Sequence, residues 1–172
     1  MSYNLIDTTQ SSIVTNNIDL QNAHTRIENH IYSVLDAQIT TYNMLIQHNK
    51  FWGSNASSVY EEIWSNINTG FDAIYYRSNE DTAVEDSLSS KLQYVDNQLE
   101  FVIASDPKKE KYDLNFDRNV NFLHTLVRYL LANNPLKKNE IFRYQNRSTI
   151  RRDTDVDIIR TVFNIELTED FR

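Results

Sequence analysis

The sequence contains no cysteine. That excludes disulfide staples, thiolate nucleophiles and Cys-ligated zinc or iron–sulfur centres, and it fits a reducing compartment. Glycine and proline are nearly as scarce, at two residues each. Glycine supplies positive φ and proline pre-sets turn geometry, so all-β folds built from many tight turns usually need more of both. The scarcity therefore points to a few long helices with few turns. With only Gly53 and Gly70, no Walker-type phosphate loop, GxGxxG fingerprint or GxSxG nucleophile elbow can be written. Neither HExxH nor a Glu-x-x-His pair occurs, so no metal and no cofactor is expected. Long apolar runs are also missing. None approaches the roughly 18 apolar residues of a membrane span, and no membrane partner is expected. The N-terminus, MSYNLIDTTQ, lacks a basic segment leading into an apolar one. Secretion by a signal peptide is not expected, and a cytoplasmic or virion location is. On that basis the two Asn-x-Ser sequons, at Asn55 and Asn146, are chance.

What is present suits an ordered, soluble chain. Of 172 residues, 40% are hydrophobic and 24% charged, enough for one domain with a real core. Residues 1–17 are polar with isolated apolar points and read as an extended arm. From Asn17 to about Lys50, Leu20, Ala23, Ile27, Ile31, Val34, Tyr42 and Leu45 recur at helical steps, one face of an unusually long helix. Ser58 and Glu61 form a capping box before a second stripe of Tyr60, Ile63, Trp64, Ile67, Phe71 and Ile74, with Gly70 marking a close helix crossing. Val84, Leu88, Leu92, Val95, Leu99 and Val102 give a third stripe, closed by Pro107. Asn115 to Leu136 is the most apolar long segment and the fourth helix. Its Phe116, Val120, Leu123, Val127 and Leu130 face inward, and Asn133-Asn134-Pro135 ends it. The expected fold is all-α: an up-and-down bundle of four main helices over 18–135. It carries the arm at 1–17 and a basic, partly irregular extension at 136–172. Within that extension a short helix from Thr154 to about Arg160 is expected, then an extended tail.

Charge is unevenly spread. The net charge is −7 and the pI about 5.0, unlike a whole-surface nucleic-acid binder. Yet Lys137, Lys138, Arg143, Arg147, Arg151 and Arg152 stand against a single acid, Glu140, within 137–152. The rest of the chain carries 11 basic and 23 acidic side chains. Such a patch can dock an acidic protein surface. It can also hold nucleic-acid phosphates, with Tyr144 available to stack. A head-to-tail homo-oligomer could join it to the acidic Glu80, Asp81, Glu85 and Asp86 of a neighbour.

One stretch carries a catalytic pattern. Arg118-Asn119-Val120-Asn121-Phe122-Leu123-His124 resembles the signature of HEPN-type ribonucleases: an Arg, often a polar residue next, then a His a turn or two on. The resemblance covers these residues and an all-helical bundle. It implies metal-independent RNA cleavage at a dimer interface, in which the 2′-hydroxyl attacks the adjacent phosphate. His124 would then handle the proton, Arg118 would hold the phosphate and Asn119 would orient. A regular helix, however, sets Arg118 and His124 about 120° apart. It aligns His124 with Asp117, Asn121 and Arg128 in a polar stripe.

The favoured function at this level is a non-enzymatic interaction or assembly subunit, for example a phage or virus particle component such as a head–tail connector. The HEPN-type ribonuclease is the first alternative, and an acidic immunity or inhibitor protein the second.

Overall fold

The computed structural model describes residues 23–50, 56–89, 92–106, 120–152 and 155–170. These residues do not build the expected helical bundle. Three helices lie against a five-stranded mixed sheet. In chain order the elements are α1 (Ala23–Thr41), β1 (Ile46–Lys50), α2 (Ala56–Asn68), β2 (Asp72–Ser89), β3 (Leu92–Ser105), α3 (Val120–Asn133), β4 (Phe142–Arg152) and β5 (Asp157–Asp170). The sheet order is β1-β2-β3-β5-β4. β1 and β2 run parallel, joined through α2, and every other pair is antiparallel. The N-terminal arm, Arg118, Asn119 and the charged loop at 107–115 lie outside the described residues.

The first two helices end where the backbone turns left-handed. The expected first helix to Lys50 stops at Thr41, because Asn43 takes a positive φ of 49°. Asn43 N–H donates to the Thr40 carbonyl at 3.3 Å, and Met44 N–H donates to that of Ile39 at 2.9 Å. That pair of bonds is a Schellman cap, and it frees Ile46–Lys50 to pair as β1. α2 ends the same way. Gly70, at φ 101°, is the residue after the cap, with Gly70 N–H on the Ile67 carbonyl and Phe71 N–H on that of Asn66. The glycine thus serves a helix exit and not the expected helix crossing. α3 closes through side chains: the Asn133 and Asn134 amides each donate 2.8 Å bonds to the carbonyls of Tyr129 and Leu130.

Two faces of the sheet are buried to different extents. On one face, Ile27, Ile31 and Leu35 of α1 and Val120, Leu123, Val127, Leu130 and Leu131 of α3 pack on Ile74, Tyr76, Leu99, Phe101, Ile103, Ile159, Phe163 and Ile165. Each such side chain stabilises the fold by roughly 1.5–3 kcal/mol through burial alone. Phe101 links Tyr76 and Phe163 at centroid distances of 5.8 and 5.6 Å. On the other face, among the described residues, Ile63 and Ile67 of α2 cover one end, over Ala73, Tyr75, Val102, Ala104 and Ile158. Residues 99–104 read LEFVIA because β3 is central and its two faces alternate between these cores. The C-terminal stretch is not an irregular extension, nor is there a helix from Thr154. Residues 142–152 and 157–170 form β4 and β5, and β5 pairs with β3 along its whole length.

Candidate functional site

β4 is the feature that stands out chemically. It is an edge strand of 11 residues, and only Phe142 is buried, with Arg147 half-buried. A strand reading RYQNRSTIRR has too little apolar surface to sit inside a sheet, so its sequence confines it to the edge. Lys137 and Lys138 lie in the exposed turn before it. The turn is held by Glu140 N–H on the Lys137 carbonyl and Leu136 N–H on the Glu140 carbonyl, both 3.0 Å. The structure thus brings Lys137, Lys138, Arg143, Tyr144, Arg147, Arg151 and Arg152 into one continuous turn and strand.

Pairing with β5 sorts these side chains onto two faces, since directly paired residues share a face. Arg143 pairs with Asn164, and Arg151 with Ile158, on the side of α2. Arg151 lies 5.7 Å from the ring centroid of Trp64 and borders a mainly apolar groove of about 600 Å³ with Ile63, Trp64, Ile150 and Ile158. Tyr144 pairs with Phe163, and Arg147 with Thr161, on the side of α3. Register shifts after Tyr144 and after Thr149 permit this mixed pattern. Arg152 is held 3.5 Å from Asp157.

His124, the candidate proton carrier, lies in the core and not on a solvated polar stripe. It is 6% exposed, its ring edge-on to Tyr144 at 5.5 Å. Its Nε2 is 3.2 Å from Thr161 Oγ1, and the Thr161 hydroxyl gives its own proton to the Asn146 carbonyl at 3.1 Å. Nε2 must therefore donate, which fixes the tautomer. Burial, reinforced by Arg147 and then Arg128, pushes the His124 pKa down to about 4. His124 is neutral at physiological pH and ties α3 to the β4–β5 pair. The HEPN resemblance loses both its all-helical frame and an accessible histidine.

Arg128, read from the sequence only as part of a polar stripe, and three residues the sequence reasoning did not single out complete this region. Thr125, Arg128, Tyr129 and Ala132 form one stripe of α3 and, with Phe142, Tyr144 and Phe163, line a groove of about 420 Å³. The Arg128 guanidinium lies 4.2 Å over the Tyr144 ring. The available signal was the helical spacing of Arg128 from His124, which puts both beside whatever strand α3 crosses. Across the sheet, Glu100 is gripped by two arginines: Arg160 Nε at 2.6 Å and Arg77 Nη2 at 3.0 Å. Near the start of α1, the Ser78 hydroxyl donates to Asn97 Oδ1 at 2.7 Å and lies 2.5 Å from His24 Nδ1, which the Asn97 amide also approaches at 3.5 Å. Ser78 N–H in turn donates to Glu28 Oε1 at 3.2 Å. That cluster fastens α1 to β2 and β3. His30 is half-buried and stacks against Phe142 at 6.0 Å.

Among the described residues, no helix is long and apolar enough to cross a membrane. No known protein family matches this chain, and no curated protein is significantly similar to it. Fold and site together describe an α/β protein with a mixed sheet, one edge of which is a strand rich in arginine.

Proposed function

We propose that this protein is a non-enzymatic interaction subunit that docks, through β4 and the turn before it, onto an acidic surface of a partner protein within a larger assembly. The observation that carries the reading is the exposed, arginine-bearing edge strand on a chain of net charge −7. Two such edges repel one another, since arginine would meet arginine across a β4–β4 pair, and like charges directly opposite are destabilising. The edge is thus guarded against self-pairing in register and is attracted to acid. A neighbouring copy could supply that acid from the Glu80, Asp81, Glu85 and Asp86 segment, which lies in β2, with β3 and β5 between it and β4.

The test is light scattering and affinity capture from the native source, at low and moderate salt. Wild type is expected to form salt-sensitive oligomers or to retain an acidic partner. Lys138→Glu/Arg143→Glu, both exposed and both outside the core, is expected to abolish that association without changing the fold. A protein that stays monomeric and captures nothing, or an association indifferent to the double charge reversal, refutes the reading.

A further inference from the structure

We propose that the groove between α3 and β4 binds a nucleotide, its phosphate held by Arg128 and Arg147 and its base stacked against Tyr129. This goes beyond the docking reading and does not depend on it, because the groove opens on the α3 side of β4 while Arg143 and Arg151 face the α2 side.

Three observations support it. First, two guanidiniums flank one buried, neutral imidazole. Arg128 follows His124 by one helical turn, and Arg147 pairs across the ladder with Thr161, the residue that holds His124 Nε2. No carboxylate among the described residues pairs with either arginine. Two positive charges that both act on His124, with no carboxylate partner among the described residues, favour an anion beside them. Second, Arg128 is already oriented. Its guanidinium carbon is held 4.2 Å over the Tyr144 ring, so less rotamer freedom is lost when it takes a phosphate. Third, the groove is sized and lined for a ring. It holds about 420 Å³ and has an aromatic floor of Phe142, Tyr144 and Phe163. At its rim stands Tyr129, 64% exposed. An exposed tyrosine beside a stacked arginine is what a nucleobase lies against in single-strand recognition. Thr125 adds a hydroxyl on the same stripe.

The shared chemistry, a phosphate next to a heterocycle, can come from a free nucleotide or from single-stranded nucleic acid. Calorimetric titration with inorganic phosphate, UMP, a short oligouridylate and poly-glutamate separates these sources. UMP is expected to bind more tightly than phosphate. Arg128→Gln should weaken UMP binding by about tenfold or more. Arg143→Gln, the same charge loss on the other face of β4, should change it far less. Tyr129→Ala should weaken UMP and leave phosphate unchanged. Tighter, steeply salt-dependent binding of oligouridylate assigns the nucleotide to a single strand, and equal affinity per site assigns it to a free nucleotide. Either result supports the groove. Arg128 and Tyr129 are both exposed, so both variants should fold as the wild type does and remain interpretable. Absence of UMP and oligouridylate binding at millimolar concentration overturns the proposal, as do equal losses in the Arg128 and Arg143 variants. Binding of poly-glutamate alone, dependent on Arg128, overturns it in favour of an acidic peptide.

Discussion

Replacing His124 by Gln gives a direct test of where that histidine sits. In the folded protein its pKa lies at about 4, against 6.5 for a solvated imidazole. Between these values the unfolded chain binds a proton that the folded chain refuses. Stability must therefore rise with pH through the window from about 4 to 6.5 and be lost as pH falls through it. Each unit of separation is worth about 1.4 kcal/mol, so the full loss is about 3 kcal/mol, and roughly 2 kcal/mol of it is already gone at pH 5. Glutamine reaches to a similar depth and its amide can donate to Thr161 Oγ1, but it does not titrate. Urea unfolding at pH 7, 6 and 5 supplies the comparison. The wild type should lose about 2 kcal/mol more than His124→Gln between pH 7 and 5. His48 is also held below its ordinary value, since burial outweighs the attraction of Asp36 at 3.5 Å, and it pulls in the same direction. It is present in both proteins and cancels in the difference, as do the carboxylates. Parallel pH curves for the two proteins would refute the burial argument, and so would an NMR titration of His124 near 6.5. A surface histidine serving as a catalytic proton carrier would give those results.

Two further substitutions probe the sheet. Glu100→Gln leaves Arg77 and Arg160 facing each other without their shared carboxylate, while the glutamate itself is 7% exposed. Breaking a buried ion pair costs about 3–5 kcal/mol, and the partial exposure of both arginines reduces this to an expected loss of about 2 kcal/mol in urea unfolding. Gly70→Ala discriminates the fold by its sign. Inside a helix the change would stabilise by about 1 kcal/mol, but at φ 101° an added Cβ should destabilise by about 1–2 kcal/mol.

Much of the helical content was legible, and the sheet was not, for identifiable physical reasons. Val120, Leu123, Val127 and Leu130 are buried on α3 as their spacing requires, and Ile27 and Ile31 are buried on α1. The error lay in the turn argument. Strands of 18, 14 and 14 residues consume as few turns as helices do, so scarce glycine and proline cannot separate long helices from long hairpins. The second error lay in periodicity. A central strand covered on both faces carries apolar residues at consecutive positions, and from these a helical subset can always be picked. Val95, Leu99 and Val102 were read as one stripe, yet Leu99 packs under the α1 and α3 side and Val102 under α2. Composition did reveal the basic run. That it forms an edge depends on strand order, which is fixed by pairing between residues far apart in sequence, as when Ser105 meets Asp157.

The distribution of charge partners links this fold to its proposed roles. In the middle of the partly covered sheet face, cations are neutralised within the chain: Glu100 takes Arg77 and Arg160, and near the sheet margin Asp157 takes Arg152. Arg128, Lys137, Lys138, Arg143 and Arg147 have no carboxylate partner among the described residues, and all five lie on α3, on β4 or in the turn between them. A chain with 24 acids to 17 bases could pair every base. Five cations along one border without a carboxylate partner among the described residues raise the local potential there and cost stability through mutual repulsion. Arg128 and Arg147 add to that cost by holding His124 in its neutral form. An anion from outside, whether a carboxylate on the edge or a phosphate in the groove, recovers the energy. Occupation of this border should therefore raise the unfolding temperature, and inorganic phosphate should do so more in the wild type than in Arg128→Gln.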